Sequence, residues 1–259
     1  MAIKLKTPEQ IEKMRRAGRI VRHVLERLST MIVPGITTEE LDAEAERLCL
    51  EEGGKCLFKG VPSHSGAGPF PGCICASLNE EVVHGIPSKR KLRGGDLVSV
   101  DFGVLLDGWC GDAAETYLCG DVSPDKRRLA SVTKEALQIA ISMAKPGVKW
   151  STIARAMQQR VESEGFSVIR EFVGHGIGRE MHEDPKVPNF VSRELLNRDI
   201  LLREGLVIAV EPMVNMGAAN VEYAPDGWTV VTVDRMPSAH FEETLAITAK
   251  GVDVLTNGR

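Results

Sequence analysis

Five side chains scattered along this sequence, Asp101, Asp112, His175, Glu211 and Glu242, together have the chemistry of a two-metal site. Four are carboxylates, and each stands in a stretch that otherwise reads as a hydrophobic strand. An ionised carboxylate there is costly unless something neutralises it, and a pair of divalent cations does so most directly. The constellation predicts metal-dependent hydrolysis with two divalent ions per chain. Carboxylates plus one imidazole suit Mn, Fe, Co and Zn alike, so the ligand types do not choose the ion.

The spacing of the first two acids follows from a turn. Asp107-Gly108 between two apolar runs is a two-residue hairpin signal, pairing Leu106 with Trp109. Counting back sets Gly103 against Asp112 and Asp101 against Ala114. Asp101 and Asp112 then become diagonal neighbours on one face, roughly 7 Å apart at the backbone. Leu97, Ser99 and Gly103 share that face, whereas Val98, Val100, Phe102 and Val104 take the other. A lone pair of acids at this spacing would more often be two unrelated turn-flanking residues, so the pair needs the rest of the set.

The same parity separates two adjacent glutamates. Glu242 alternates with Thr244, Ala246 and Thr248, and Glu243 with Leu245 and Ile247. Glu242 is therefore the cleft-facing ligand, and Glu243 is expected at a strand edge or beside a basic residue. His175 lies in GHGIGREMH, where flanking glycines rule against a regular helix and let the backbone approach whatever the ring binds. His182, beyond the turn, is better placed for substrate than for the metal shell.

The elements that must position these groups come twice. Thr7-Pro8-Glu9-Gln10 is a helix start, and that helix should stop before Pro34-Gly35. A second helix runs from near Thr38 to Gly53-Gly54. Ser123-Pro124-Asp125 opens a third that ends at Pro146-Gly147, and Ser151-Thr152 opens a fourth that ends at Gly165. GDLVSVD (95–101) is echoed by GLVIAVE (205–211), and HGI occurs at 84–86 and 175–177. Each half thus offers a His, an acid ending a strand and a second acid: His84, Asp101, Asp112, then His175, Glu211, Glu242. The reading is one catalytic domain over residues 1–259, with related halves of about 1–120 and 121–259 and the site at their junction.

Composition excludes more than it selects. The net charge of −4 argues against a specific nucleic-acid partner. The N-terminus has no apolar signal region, and no run of apolar residues is long enough to span a bilayer, so no membrane association is expected. Cys49, Cys56, Cys73, Cys75, Cys110 and Cys119 follow no zinc-finger spacing. Without an export signal they are expected to be reduced thiols, which places the protein in the cytoplasm.

Several segments carry a resemblance to a known family. KTPEQIEKMRRAGRIV, SLNEEVVHGIPS, VDFGVLLDGWCGD, GHGIGREMHEDPKVPNF, VIAVEPMV and DGWTVVTVDRMPSAHFEETLAIT span nearly the whole chain. Together they resemble the type I methionine aminopeptidases, a branch of the M24 peptidases. The resemblance implies the α/β pita-bread fold, with two pseudo-twofold-related halves around a central antiparallel sheet. It implies one metal held by Asp112, His175, Glu211 and Glu242, and another by Asp101, Asp112 and Glu242. It gives His182 to the substrate carbonyl oxygen, His84 to the scissile amide nitrogen and Glu211 to proton handling. It places Cys75, Phe70, Trp228 and, by looser correspondence, Cys56 in a methionine pocket. Met181 stands where relatives often have an aromatic residue, and the Lys59–Cys73 region is longer than in the shortest relatives. The implied substrates are the N-termini of nascent polypeptides with a small second residue, met by a monomer with at most a transient ribosome contact. Two other readings stay open: a proline-directed exopeptidase of the same fold, and a binding protein that has lost catalysis. The first would carry a further N-terminal domain, whereas the first helix here begins at about residue 8. The second should lack some ligands, yet all five are present.

Overall fold

A computed structural model describes residues 3–63 and 66–258. Helix α1 (Pro8–Met31) starts where its capping box says it should. Thr7 accepts from the Gln10 amide, and the Gln10 side chain accepts from the Thr7 amide, so two of the helix's orphan donors are satisfied. α2 (Thr38–Glu51) repeats the device with Thr37 and Glu40. α3 (Pro124–Met143) is capped by Ser123. α4 (Trp150–Ser163) begins one residue before the expected Ser151 and has no cap of its own. Asp199 supplies one from a distance, accepting from the Ser151 amide at 3.0 Å and its hydroxyl at 2.6 Å. A short α5 (Arg193–Asn197) lies just before Asp199.

Two antiparallel sheets carry the site. In the first, β4 (Leu97–Leu106) and β5 (Trp109–Leu118) form the expected hairpin, with Leu106 opposite Trp109, Gly103 opposite Asp112 and Asp101 opposite Ala114. β1 (Lys55–Cys56) and β2 (Cys75–Leu78) also pair with β4. The second sheet has the order β15-β14-β9-β7-β8, from β7 (Gly174–Gly176), β8 (Glu183–Val187), β9 (Val207–Val210), β14 (Glu243–Thr248) and β15 (Gly251–Val254). The sheets meet at Ala114 and Glu242, whose backbones exchange hydrogen bonds of 2.8 and 3.3 Å. Two small sheets complete the set among the described residues. One contains β6 (Ser167–Val168), β10 (Met213–Asn215) and β13 (Ser238–His240). The other contains β3 (Glu81–Val83), β11 (Val221–Tyr223) and β12 (Val230–Thr232).

The sequence repeat is a structural one. Thr37 bridges Lys91 in the first half and Lys149 bridges Leu201 in the second. The Gly35 amide donates to Leu92 and the Gly147 amide to Leu202, both at 2.9 Å. Gly53 and Gly165 close the second helix of each half with φ of 76° and 78°, a conformation that favours glycine. In the first half, Val98, Val100, Phe102 and Val104 bury the apolar face of β4 against Leu25, Leu28 and Leu41. In the second, Trp150, Ile153, Leu129 and Leu245 share one core. Among the described residues, no helix is long and apolar enough to cross a membrane.

One expectation fails. Cys56 and Cys73 are joined as a disulfide, whereas Cys49, Cys75, Cys110 and Cys119 are free and buried. The Cα atoms of Cys56 and Cys73 lie 5.3 Å apart, within the reach of a bridge. The pair brackets the long loop between β1 and β2, a proximity that sequence spacing alone does not reveal.

Candidate metal centre

The β4/β5 hairpin presents Asp101 and Asp112 from one side of a cleft. From the other side come His175 on β7, Glu211 immediately after β9 and Glu242 immediately before β14. Because β9 and β14 are antiparallel, with Val210 opposite Glu243, the end of one strand meets the start of the next and the two glutamates converge. Glu211 and Glu242 thus cap strands rather than sit within them. All five predicted ligands face one cleft of about 190 Å³.

Asp112, His175 and Glu242 each offer a ligand atom, and these three atoms lie within 4.8 Å of one another. His175 Nε2 is 3.6 Å from Glu211 Oε1. Its other ring nitrogen, Nδ1, lies 2.9 Å from the Gly176 carbonyl. Donation there leaves Nε2 as the basic nitrogen aimed at the acids, a common arrangement for metal-binding histidine. The flanking glycines are required: a Cβ at Gly174 would collide with the Ala209 carbonyl, and one at Gly176 with the Asp184 carbonyl.

Electrostatics say what the cluster needs. Burial pushes the Asp112 carboxyl up to about 7. Burial first, then the neighbouring carboxylates, raises Asp101, Glu211 and Glu242 well above the usual range. Asp101 Oδ1, Asp112 Oδ1 and Glu242 Oε1 are buried without a hydrogen-bond partner. Oxygens left unpaired amid mutual repulsion fit divalent cations, which would replace the protons these acids otherwise hold. Burial meanwhile lowers His175 to about 4, with the nearby His182 adding to the effect, so its ring is neutral and able to ligate.

Two further histidines line the cleft. His182 is exposed at its mouth, with its ring 4.4 Å from that of His175. The next residue, Glu183, fixes that turn. It accepts from the Arg179 amide at 3.0 Å and from Lys6 Nζ at 2.8 Å, a pair whose side chains are almost wholly buried. His84 stands edge-on to Phe172 at 5.6 Å and has a left-handed backbone, φ 59°, uncommon outside glycine. Burial lowers its pKa to about 4.

The apolar wall is formed by Phe58, Phe70, Cys75, Met181 and Trp228. Phe70 and Trp228 meet edge to face at 5.1 Å, and Trp228 Nε1 donates to the Gly68 carbonyl at 2.9 Å, pinning the long loop. Cys56 does not line the cleft: its sulfur is committed to Cys73, and the residue packs with the core under α1 and α2. Residues 64 and 65 of the loop lie outside the described residues. Glu243, as expected, turns away from the cleft and pairs with Arg22 at 2.6 Å, while its other oxygen accepts from Thr256.

Sequence reasoning missed Phe58, Val61 and Pro62, which line the cleft from the loop. It also missed His240, buried beside Glu211 and Glu242. That residue shares the parity of Glu242, a signal that points to the face but does not by itself distinguish it from an ordinary buried ring.

Comparison with known proteins agrees with this geometry. The model of metallopeptidase family M24 matches residues 12–249. The methionine aminopeptidase 1 of Bacillus subtilis (strain 168) is 48% identical over 251 residues, covering 97% of this chain and 98% of that protein. The crystal structure of the methionine aminopeptidase of Thermotoga maritima superposes with a TM-score of 0.92 at 42% identity, covering 98% of this chain and 99% of that one. The prolidase of Pyrococcus furiosus, at 23% identity and a TM-score of 0.77 over 98% of this chain and 66% of its own, shares the fold. The architecture is thus the pita-bread fold, with two related halves around antiparallel sheet.

Proposed function

The chain belongs to metallopeptidase family M24, among the methionine aminopeptidases, and on that premise we propose that it removes N-terminal methionine from nascent proteins and peptides. Its reaction is metal-dependent peptide-bond hydrolysis. The convergence of five metal-ligand side chains beside an apolar slot is the observation that carries this reading. Asp112, His175, Glu211 and Glu242 would hold one ion, and Asp101, Asp112 and Glu242 the other, with Asp112 and Glu242 shared. When bound, such a pair lowers the cost of ionising water and polarises the scissile carbonyl.

The chain's own groups do the rest. Phe70, Cys75, Met181 and Trp228 bury the methionine side chain, for which a soft apolar wall is well suited. The free amino group would bind at the Asp101 end of the site, on the ion held by Asp101, Asp112 and Glu242, and cleavage is so restricted to chain ends. His182 donates to the carbonyl oxygen as negative charge develops there. His84 contacts the amide nitrogen that becomes the leaving amine, and Glu211 takes and passes on the proton. The preference for a small second residue follows from membership of this family. We place the enzyme in the cytoplasm, because its substrates are newly made chains, and read it as a monomer. The cysteine argument for that compartment falls with the Cys56–Cys73 disulfide.

A peptide assay tests the whole reading. Met-Ala-Ser should be cut, Ala-Pro peptides should not, and a chelator should stop cleavage until divalent metal is restored. Preferential cleavage of Ala-Pro peptides would transfer the chain to the proline-directed branch.

A further inference from the structure

Beside the five ligands stands a buried ring with no part in the reaction just described. His240 is 2% exposed at the end of β13. Its backbone is clamped by one hydroxyl: the amide donates to Thr116 Oγ1 at 2.9 Å, and Thr116 Oγ1 donates to its carbonyl at 2.7 Å. The ring is therefore held in place by β5, the strand that bears Asp112. Its Nε2 has no hydrogen-bond partner. That nitrogen points between two carboxylates, 3.9 Å from Glu211 Oε2 and 4.0 Å from Glu242 Oε2.

The carboxylate oxygens divide between two sides. Glu211 turns Oε1 toward His175 and Oε2 toward His240. Glu242 turns Oε2 toward His240 and leaves Oε1 buried and unpartnered. Each glutamate thus keeps one oxygen for the cleft and offers the other to the same imidazole nitrogen. An Nε2 lone pair aimed at two carboxylates would be repelled, so the tautomer that fits has the proton on Nε2. The gap exceeds a hydrogen bond by roughly 1 Å, and terminal carboxylate torsions are soft enough to close it.

We propose that His240 is a positioning residue: its Nε2–H donates to Glu211 and Glu242 from behind and sets both carboxylates for divalent cations. The inference rests on the metal reading above. Carboxylates that ligate a metal are themselves hydrogen-bonded, and losing such a partner typically costs about 10- to 100-fold in metal affinity.

The test compares wild type with His240→Leu, which fills the space without a donor, and His240→Gln, which restores an N–H at similar reach. Cobalt(II) alone is the probe, followed by calorimetry and by the visible spectrum of the loaded protein. His240→Leu should bind cobalt about 10- to 100-fold more weakly with an altered spectrum, while its metal-free melting temperature does not fall. His240→Gln should recover most of the affinity and the wild-type spectrum. Wild-type affinity and spectrum in His240→Leu would reduce the ring to packing and overturn the proposal, as would His240→Gln failing as badly as leucine. A wild-type protein that binds no cobalt would instead overturn the metal reading itself.

Discussion

The two halves of the molecule make the same strand pair by different means. In the first, β4 and β5 are joined by two residues, Asp107 and Gly108, and pair without interruption from Leu97–Leu118 to Leu106–Trp109. In the second, β9 and β14 also pair antiparallel, but residues 211–242 leave the sheet between them. That excursion builds β10 to β13 and carries Trp228 and His240. The first half is a rigid rail that fixes Asp101 and Asp112 by register alone. The second uses the same pairing as a base from which to add a pocket wall and a buried imidazole. A duplicated framework is kept where the acids meet and extended where an apolar wall lines the cleft.

If both halves contribute equally to the metal centre, damage to either should be equally severe. Asp112→Ala and Glu242→Ala should each lower kcat/KM about 10³-fold or more, the several kcal/mol that paired metals supply. Retention of metal and activity by either variant would break the symmetry. The four acids also share one pH signature. In the metal-free fold their pKa values are raised, so the folded state holds protons that the unfolded chain releases, and the acids' contribution to stability falls as pH rises from about 5 to about 7. Saturating divalent metal replaces those protons. The gain in melting temperature on adding metal should therefore grow over that range, and a constant gain would contradict the cluster's coupling.

His182 belongs to the second half's turn and sits outside the ligand set. His182→Ala should cost roughly 10²-fold in kcat with metal content unchanged, measured by steady-state kinetics and metal analysis. Loss of a metal ion would move it into the shell.

Trp228 tests whether the excursion selects substrate. Removing buried methionine area is worth roughly 2–3 kcal/mol, so Met peptides should exceed Ala peptides by about 30- to 150-fold in kcat/KM. Trp228→Ala should shrink that ratio while metal remains, and an unchanged ratio would make the indole ordinary core. The smallest effect on catalysis falls on Glu243. Glu243→Ala should keep metal and activity but lose about 1–3 kcal/mol in denaturant unfolding, because Arg22 loses a partnered carboxylate and keeps Glu115 and the Thr256 carbonyl. A dead, metal-free Glu243→Ala protein would reverse the register of β14.

The same contrast explains what the sequence disclosed. Asp101 and Asp112 were legible because an Asp-Gly turn and a period of two leave one pairing. Glu211 and Glu242 were legible through the internal repeat and parity, although they flank strands rather than lie within them. His240 shares the face of Glu242, but a histidine one step from a strand acid reads equally well as an ordinary buried ring. Cys56 was misplaced because nothing in a 17-residue separation announces a bridge. The pocket residues Phe58, Val61 and Pro62 escaped because apolar side chains in a loop look alike whether they cover a core or line a slot. The α4 cap at Asp199 comes from far along the chain, where local propensity carries no information.

The Cys56–Cys73 crosslink encloses Phe58, Val61, Pro62 and Phe70, and none of the five metal ligands. A closed loop of about that length removes roughly 3 kcal/mol of chain entropy from the unfolded ensemble. Four of the side chains that line the slot thus ride on a tethered cassette, whereas all five candidate ligands stand on or beside the sheets. Cutting that tether would free one wall of the slot and leave the strand pairings that position the acids untouched.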